Sequence, residues 1–220
     1  NLCFAFQTET KVYLGLEYAS GGEMFYHLQN RGTIPIDEVR LYAAELSLAL
    51  NYLHNLHIIY RDLKPENVLL DSQGHIKLTD FGLAKSLSEY SNTTSTFCGT
   101  SEYIAPEILS RKPYGTEIDW WALGIFTYEL LFGETPFYND NKSRMFSSIK
   151  NDRPTFPKKA DKTAQDFILM LLEKDPAQRG TFERIMTHPF FNGLKFEDVL
   201  NKKYKPAFVP PQNGIADNFD

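Results

Sequence analysis

The stretch "YRDLKPENVLL" (residues 60–70) places an aspartate, a lysine, a glutamate and an asparagine close together, as Asp62, Lys64, Glu66 and Asn67. A further aspartate, Asp80, follows in "TDFG". Transfer of a phosphoryl group from a magnesium nucleotide to a hydroxyl needs such a set. One carboxylate orients the hydroxyl and accepts its proton. A second carboxylate and an amide oxygen hold Mg2+, an ion that takes oxygen ligands and bridges phosphates. A cation neutralises the transferred group. On this chemistry Asp62 is the base, Asn67 and Asp80 are the metal ligands, and Lys64 sits near the γ-phosphate. Taken singly the pieces are weak. An Asp-x-Lys step also occurs in solvated turns, and "DFG" alone carries almost no information.

The elements that must position these groups can be read from periodicity and punctuation. "NLCFAFQT" and "KVYLGLEYA" read as two strands, followed by the break "SGG". "EMFYHLQNRG" reads as a short helix ended by Gly32. In "PIDEVRLYAAELSLALNYLHNLH", Val39, Tyr42, Ala43, Leu46, Leu50 and Leu53 fall at helical spacing behind Pro35. Short strands are expected at "IIY", "NVLL" and "HIKLTD", with a turn at "DSQG". Residues 82–103 read as a long polar loop. "EIDWWALGIFTYELLFG" is apolar nearly all round, which predicts a helix buried in the centre. "TAQDFILMLLEKDP" predicts another helix, ended by Pro176. From residue 193 no amphipathic period is visible, and "KPAFVPPQNG" reads as extended. The class is α+β: two strands, a mainly helical body with small hairpins, and an extended tail.

Composition narrows the partners and the compartment. The 220 residues are 42% hydrophobic and carry a net charge of −5. Nucleic acid, which favours a basic patch, is not the expected partner. Two cysteines, Cys3 and Cys98, are too few for a disulfide framework and suit a reducing compartment. No run approaches the roughly 18 apolar residues of a membrane span. Without a signal-peptide pattern at the start, the expected location is the cytoplasm or the nucleus.

"YRDLKPEN", "DFG" and "APE" (residues 105–107), in that order, resemble the eukaryotic protein kinase signature, and the resemblance runs along essentially the whole chain. "YRD", "TFCGTSEYIAPE", "IDWWALG" and the terminal "NFD" are similar to the AGC group of Ser/Thr kinases, which includes the cAMP-dependent protein kinase catalytic subunit and protein kinase B. "GGEMF" leans toward the cyclic-nucleotide branch. The resemblance implies a kinase-like fold, with residues 1–19 as the last small-lobe strands and hinge, 20–192 as the large lobe and 193–220 as part of the tail. It implies ATP and Mg2+ as cofactors.

The resemblance also assigns roles. Thr96 is the expected activation-loop phosphosite, with Arg61 and Lys85 as phosphate partners. The residues themselves leave Thr94 and Ser95 open. Thr100 resembles the threonine that bonds the catalytic aspartate and lysine. Glu23, Glu66 and Glu129 match positions that receive substrate arginines, which implies basic protein substrates, although any one glutamate is more often a solvated charge. Phe97 and Ile104 would line a slot after the acceptor. On the nucleotide side, Glu17 and Ala19 in the hinge "LEYA" would bond adenine, with Leu16 behind the pocket and Leu69 as its floor. Thr79 and the tail residue Phe219 complete the pocket, and Glu23 and Glu66 border it. Glu107 with Arg179, and Asp119, have structural roles, and Tyr60 and Phe81 are expected to stack in the core. Further partners implied are an activating kinase, or autophosphorylation, and a regulatory subunit.

No "GxGxxG" loop occurs in the sequence, and no strand "Ala-x-Lys" precedes a helix with a glutamate partner. The expectation is therefore that this stretch alone is inactive, and that it belongs to an active parent enzyme. The alternative is a truncated kinase fold that serves as a binding or scaffold module.

Overall fold

The computed structural model describes residues 2–87, 93–96 and 98–211. Strands β1 (Leu2–Gln7) and β2 (Val12–Leu16) form an antiparallel hairpin, closed where Thr8 N donates to Lys11 O at 2.8 Å. The short strand β3 (Gly22–Glu23) leads into α1 (Met24–Arg31), which stops at Gly32 with φ +73°. The long helix α2 (Ile36–Asn55) buries the stripe read from the sequence, including Val39, Tyr42, Leu46 and Leu50.

The next segment builds the site. Strands β4 (Ile58–Ile59), β5 (Val68–Leu70), β6 (Ile76–Leu78) and β7 (Lys85–Ser86) pair in two small antiparallel sheets, ordered β3-β5-β6 and β4-β7. A single 3-10 turn, Pro65–Asn67, links the Asp62 stretch to β5. Helix α3 (Pro106–Leu109) precedes α4 (Glu117–Phe132). Helix α4 is the centre of the core. Trp121, Leu123, Ile125, Phe126 and Leu130 have no exposed surface. Burying side chains of this size stabilises by about 1.5–3 kcal/mol each. Helix α6 (Lys162–Leu171) packs on α4, α5 (Lys142–Asn151) lies against α3, and α7 (Phe182–Met186) and α8 (Phe196–Leu200) lie against α2.

Three expectations need correction. The stretch 82–103 is not a plain loop: it contains β7, a bridge between Thr94 and Tyr114, and a 3-10 turn over Ser101–Tyr103. Helix α6 ends at Leu171, before Pro176 is reached. The chain leaves the helix there because Met170 O accepts from Gly180 N and Glu173 O accepts from Arg179 Nε, each at 3.1 Å. The tail is not wholly extended, since α8 is held by Phe196 packing edge-on against Phe182 and Phe191. Five residues are too short to display a period.

Candidate active site

Asp119, in the first turn of α4, anchors the site and has no exposed surface. Its Oδ2 accepts from Tyr60 N at 2.9 Å and lies 2.8 Å from His54 Nε2, while its Oδ1 accepts from Arg61 N at 2.9 Å. This grip holds Arg61 at φ +72°. A left-handed non-glycine residue costs about 1–3 kcal/mol. Each hydrogen bond to a charged group contributes about 1.5–3 kcal/mol, so two of them hold the turn.

The turn delivers Asp62 into a closed set of contacts. Asp62 is 8% exposed. Asn67 Nδ2 donates both to Asp62 O and to Asp62 Oδ2, each at 2.8 Å. Thr100 Oγ1 donates to Asp62 Oδ1 at 3.1 Å. Lys64 Nζ lies 3.5 Å from Asp62 Oδ2 and donates to Thr100 Oγ1 at 3.2 Å. Four of the residues singled out from the sequence, Asp62, Lys64, Asn67 and Thr100, thus meet in one place. The carboxylate has a fixed donor on each oxygen, which holds it in one orientation.

Beside this set lies a cleft of about 810 Å³, lined by Leu16, Glu17, Ala19, Leu69, Thr79 and Asp80 among others. Thr79 is fixed from both sides: its N–H donates to Asn67 O at 3.0 Å, and its carbonyl accepts the Tyr60 hydroxyl. Glu17 also pairs through its side chain with Lys77 at the rim, a contact not expected from the sequence. Phe219 lies outside the described residues. Asp80 is exposed at φ +50°, and its Oδ1 accepts from Gly82 N at 2.9 Å. A Cβ on Gly82 would stand 2.9 Å from that oxygen, so a side chain there would push the Asp80 carboxylate aside. Asn67 commits its NH2 group to Asp62, which leaves its carbonyl oxygen as the face for a cation. A carboxylate and an amide oxygen suit Mg2+, and among the described residues no group of three or more His, Cys, Asp or Glu forms a closed metal cage. Phe81 meets Tyr60 edge-on at 5.4 Å and is 49% exposed. It therefore forms a wall of the cleft and is not a core residue.

An acidic patch adjoins the site. Burial pushes the Glu129 carboxyl up to about 7; the Tyr103 hydroxyl opposes this, and the charges of Glu66 and Glu102 add to it. Tyr103 donates its hydroxyl to Glu129, and Thr135 Oγ1 donates to Glu102 Oε2 at 2.6 Å. Glu102 was missed in the sequence, although it stands between Thr100 and Ile104 in "GTSEYIAPE". Glu23 sits apart, half-buried on β3 opposite Leu69, and is not among the charges acting on Glu129. Ile104 is buried, 3.8 Å from where a Cβ on Gly99 would stand, and Phe97 lies outside the described residues.

Around the expected phosphosite, Thr96 and Ser95 are exposed and Thr94 is buried. Lys85 Nζ donates to Thr94 Oγ1 at 2.8 Å, and the two threonine hydroxyls are 3.4 Å apart. Arg61 donates through Nε to Leu83 O at 2.6 Å. Farther away, Arg179 and Glu107 form a buried fork, with Nη1 to Oε1 at 2.7 Å and Nη2 to Oε2 at 3.0 Å. Arg179 Nη1 also donates to Glu117 O at 3.0 Å, tying α3 to the start of α4.

Residues 1–191 match the family model described as "Protein kinase domain". Over 220 residues the chain is 49% identical to serine/threonine-protein kinase Sgk1 of Rattus norvegicus, 48% identical to Sgk1 of Homo sapiens and 47% identical to Sgk1 of Xenopus tropicalis. These alignments cover 98% of this chain, 51% of the first two relatives and 53% of the third. The chain spans about half the length of the curated relatives it matches. The family match takes in the Asp62 set, the Asp80 cleft and the Glu107–Arg179 fork, and by it the chain belongs to the protein kinase domain family.

Proposed function

We propose that the whole protein is an AGC-type serine/threonine kinase that transfers the γ-phosphate of ATP to Ser/Thr hydroxyls in Arg-rich proteins. The observation that carries this reading is the buried Asp62 carboxylate held by Asn67, Thr100 and Lys64. Asp62 orients the substrate hydroxyl and takes its proton as the new O–P bond forms and the bond to ADP breaks. Lys64 places positive charge beside the transferred group. The Glu17 carbonyl and the Ala19 N–H bond adenine, with Leu16 behind the pocket and Leu69 as its floor. Asn67 and Asp80 would hold Mg2+, which supplies charge neutralisation at the phosphates.

Glu66, Glu102 and Glu129 together receive substrate arginine. Glu129 gives up its proton when a guanidinium arrives, because an opposite charge favours the carboxylate. Thr96 is the regulatory phosphosite, filled by an activating kinase or by autophosphorylation, and a regulatory subunit is a further partner. The location proposed is the cytoplasm or the nucleus. Among the described residues no helix is long and apolar enough to cross a membrane.

The test is phosphorylation of an Arg-Arg-x-Ser peptide by the whole protein with Mg-ATP, followed by mass spectrometry. Phosphate on the serine, reduced at least tenfold when both arginines are replaced by alanine, is the expected result. Absence of transfer to any Ser/Thr peptide would overturn the proposal.

A further inference from the structure

Tyr114 stands where three parts of the molecule meet. Its ring is buried, and burial raises its hydroxyl above the ordinary tyrosine value, so at neutral pH it is a donor. Its backbone N–H and carbonyl pair with the carbonyl and N–H of Thr94, both at 2.8 Å. The hydroxyl donates to Thr96 O at 2.5 Å and accepts from Arg61 Nη1 at 3.4 Å. Cys98 Sγ lies 4.0 Å from the same oxygen. Arg61 is itself fixed by Leu83 O and Asp119, and the next residue is Asp62. Two hydrogen bonds through one oxygen therefore connect the Thr96 backbone to the residue beside the proposed base. The second cation of this region, Lys85, is engaged by Thr94 and not by Thr96.

A phosphate on Thr96 would attract Arg61 as a bidentate partner, a stronger contact than a 3.4 Å bond to a phenol. The tyrosine bond and a phosphate would then compete for the same guanidinium.

We propose that Tyr114 is a positioning residue: it tethers the Thr96 segment to Arg61 while Thr96 is unmodified, and so sets the rate of the unphosphorylated enzyme. The inference rests on the kinase reading above, with Asp62 as base. A tyrosine that merely fills the core would leave the hydroxyl without effect, or with the same effect in both phosphorylation states.

The test is Tyr114→Phe in the whole protein, which keeps the ring and deletes the hydroxyl. Protein unphosphorylated at Thr96 is compared with protein fully phosphorylated there. Two readouts are taken: amide exchange over residues 93–96, and kcat against KM for a basic peptide. In the unphosphorylated protein, exchange is expected to rise and kcat to fall, each about fivefold, the loss of one hydrogen bond, with KM for ATP unchanged. In the phosphorylated protein both changes shrink below about twofold. Equal losses in both forms, or no change in the unphosphorylated form, would overturn the tether. If the wild-type protein transfers no phosphate at all, the kinase reading fails, and the exchange comparison decides the tether by itself.

Discussion

Asn67 holds Asp62 at two points, its backbone carbonyl and its carboxylate Oδ2, both at 2.8 Å. One amide thus fixes both the direction of the chain and the direction of the carboxylate. Thr100 closes the other oxygen, so the side chain has little rotational freedom. Pre-orientation of this kind removes reorganisation from the reaction step.

Thr100 links Asp62 to Lys64 through one hydroxyl. Thr100→Ala is expected to lower kcat about tenfold, the effect of one hydrogen bond to a charged group, and to leave KM for ATP unchanged. Thr100→Ser should retain most of the rate. Steady-state kinetics of the three proteins checks this, and equal rates for Ala and Thr would exclude the role.

The Glu107–Arg179 fork is buried on both sides. Arg179→Met leaves a carboxylate without its partner, and destabilisation of about 3–5 kcal/mol is expected. The double variant Glu107→Leu/Arg179→Met should lose less than the two single changes combined. Urea denaturation of the set measures it, and strict additivity would mean that the pair acts independently.

The carboxyl of Glu129 is raised to about 7 from 4.5, chiefly by burial. Its folded-state pKa lies above its unfolded value, so its contribution to stability is fully present below about pH 4.5 and is lost as pH rises through about 7. The proposed arginine recognition has the opposite sign, since it needs the carboxylate. Preference for an arginine peptide over its alanine analogue should rise as pH passes through about 7. Glu129→Gln should flatten that profile and lower the preference about tenfold, the scale of a lost charged contact. An unchanged profile in the variant would remove Glu129 from the recognition site.

Gly124 sits inside α4, where a Cβ would stand 2.8 Å from Leu172 Cδ2 and 2.9 Å from Leu171 Cβ. Alanine gains about 1 kcal/mol in helix propensity. Overpacking costs about 1–3 kcal/mol, and Leu171 Cβ, next to the backbone, cannot swing away. Gly124→Ala is therefore expected to destabilise by about 1 kcal/mol, the overpacking cost less the propensity gain. Thermal melting decides the sign; a raised Tm would mean that α6 shifts to make room.

The sequence was legible where one signal dominates. The stripe of α2 and the apolar run of α4 are strong periodic or compositional signals, and both are helices over those residues. The residues Asp62, Lys64, Asn67 and Thr100 could be grouped by chemistry and resemblance before their distances were known. What was not legible depends on contacts made across the chain. The end of α6 is set by Arg179 and Gly180 reaching back to it. Helix α8 exists through ring packing with Phe182 and Phe191. Glu102 joins the acidic patch because the 3-10 turn over Ser101–Tyr103 brings it beside Glu129, and local sequence gives no distance between them. Lys85 meets Thr94, nine residues along the chain, a contact that no spacing rule describes.

The most direct measurement of the central claim is Asp62→Asn in the whole protein, assayed with Mg-ATP and a basic serine peptide. The variant keeps the shape of the side chain and removes its ability to take a proton. The account predicts that kcat falls about 10²–10⁴-fold, the range for loss of a general base, while ATP affinity changes by less than about threefold. Turnover equal to that of the wild-type protein would contradict the assignment of Asp62 as base.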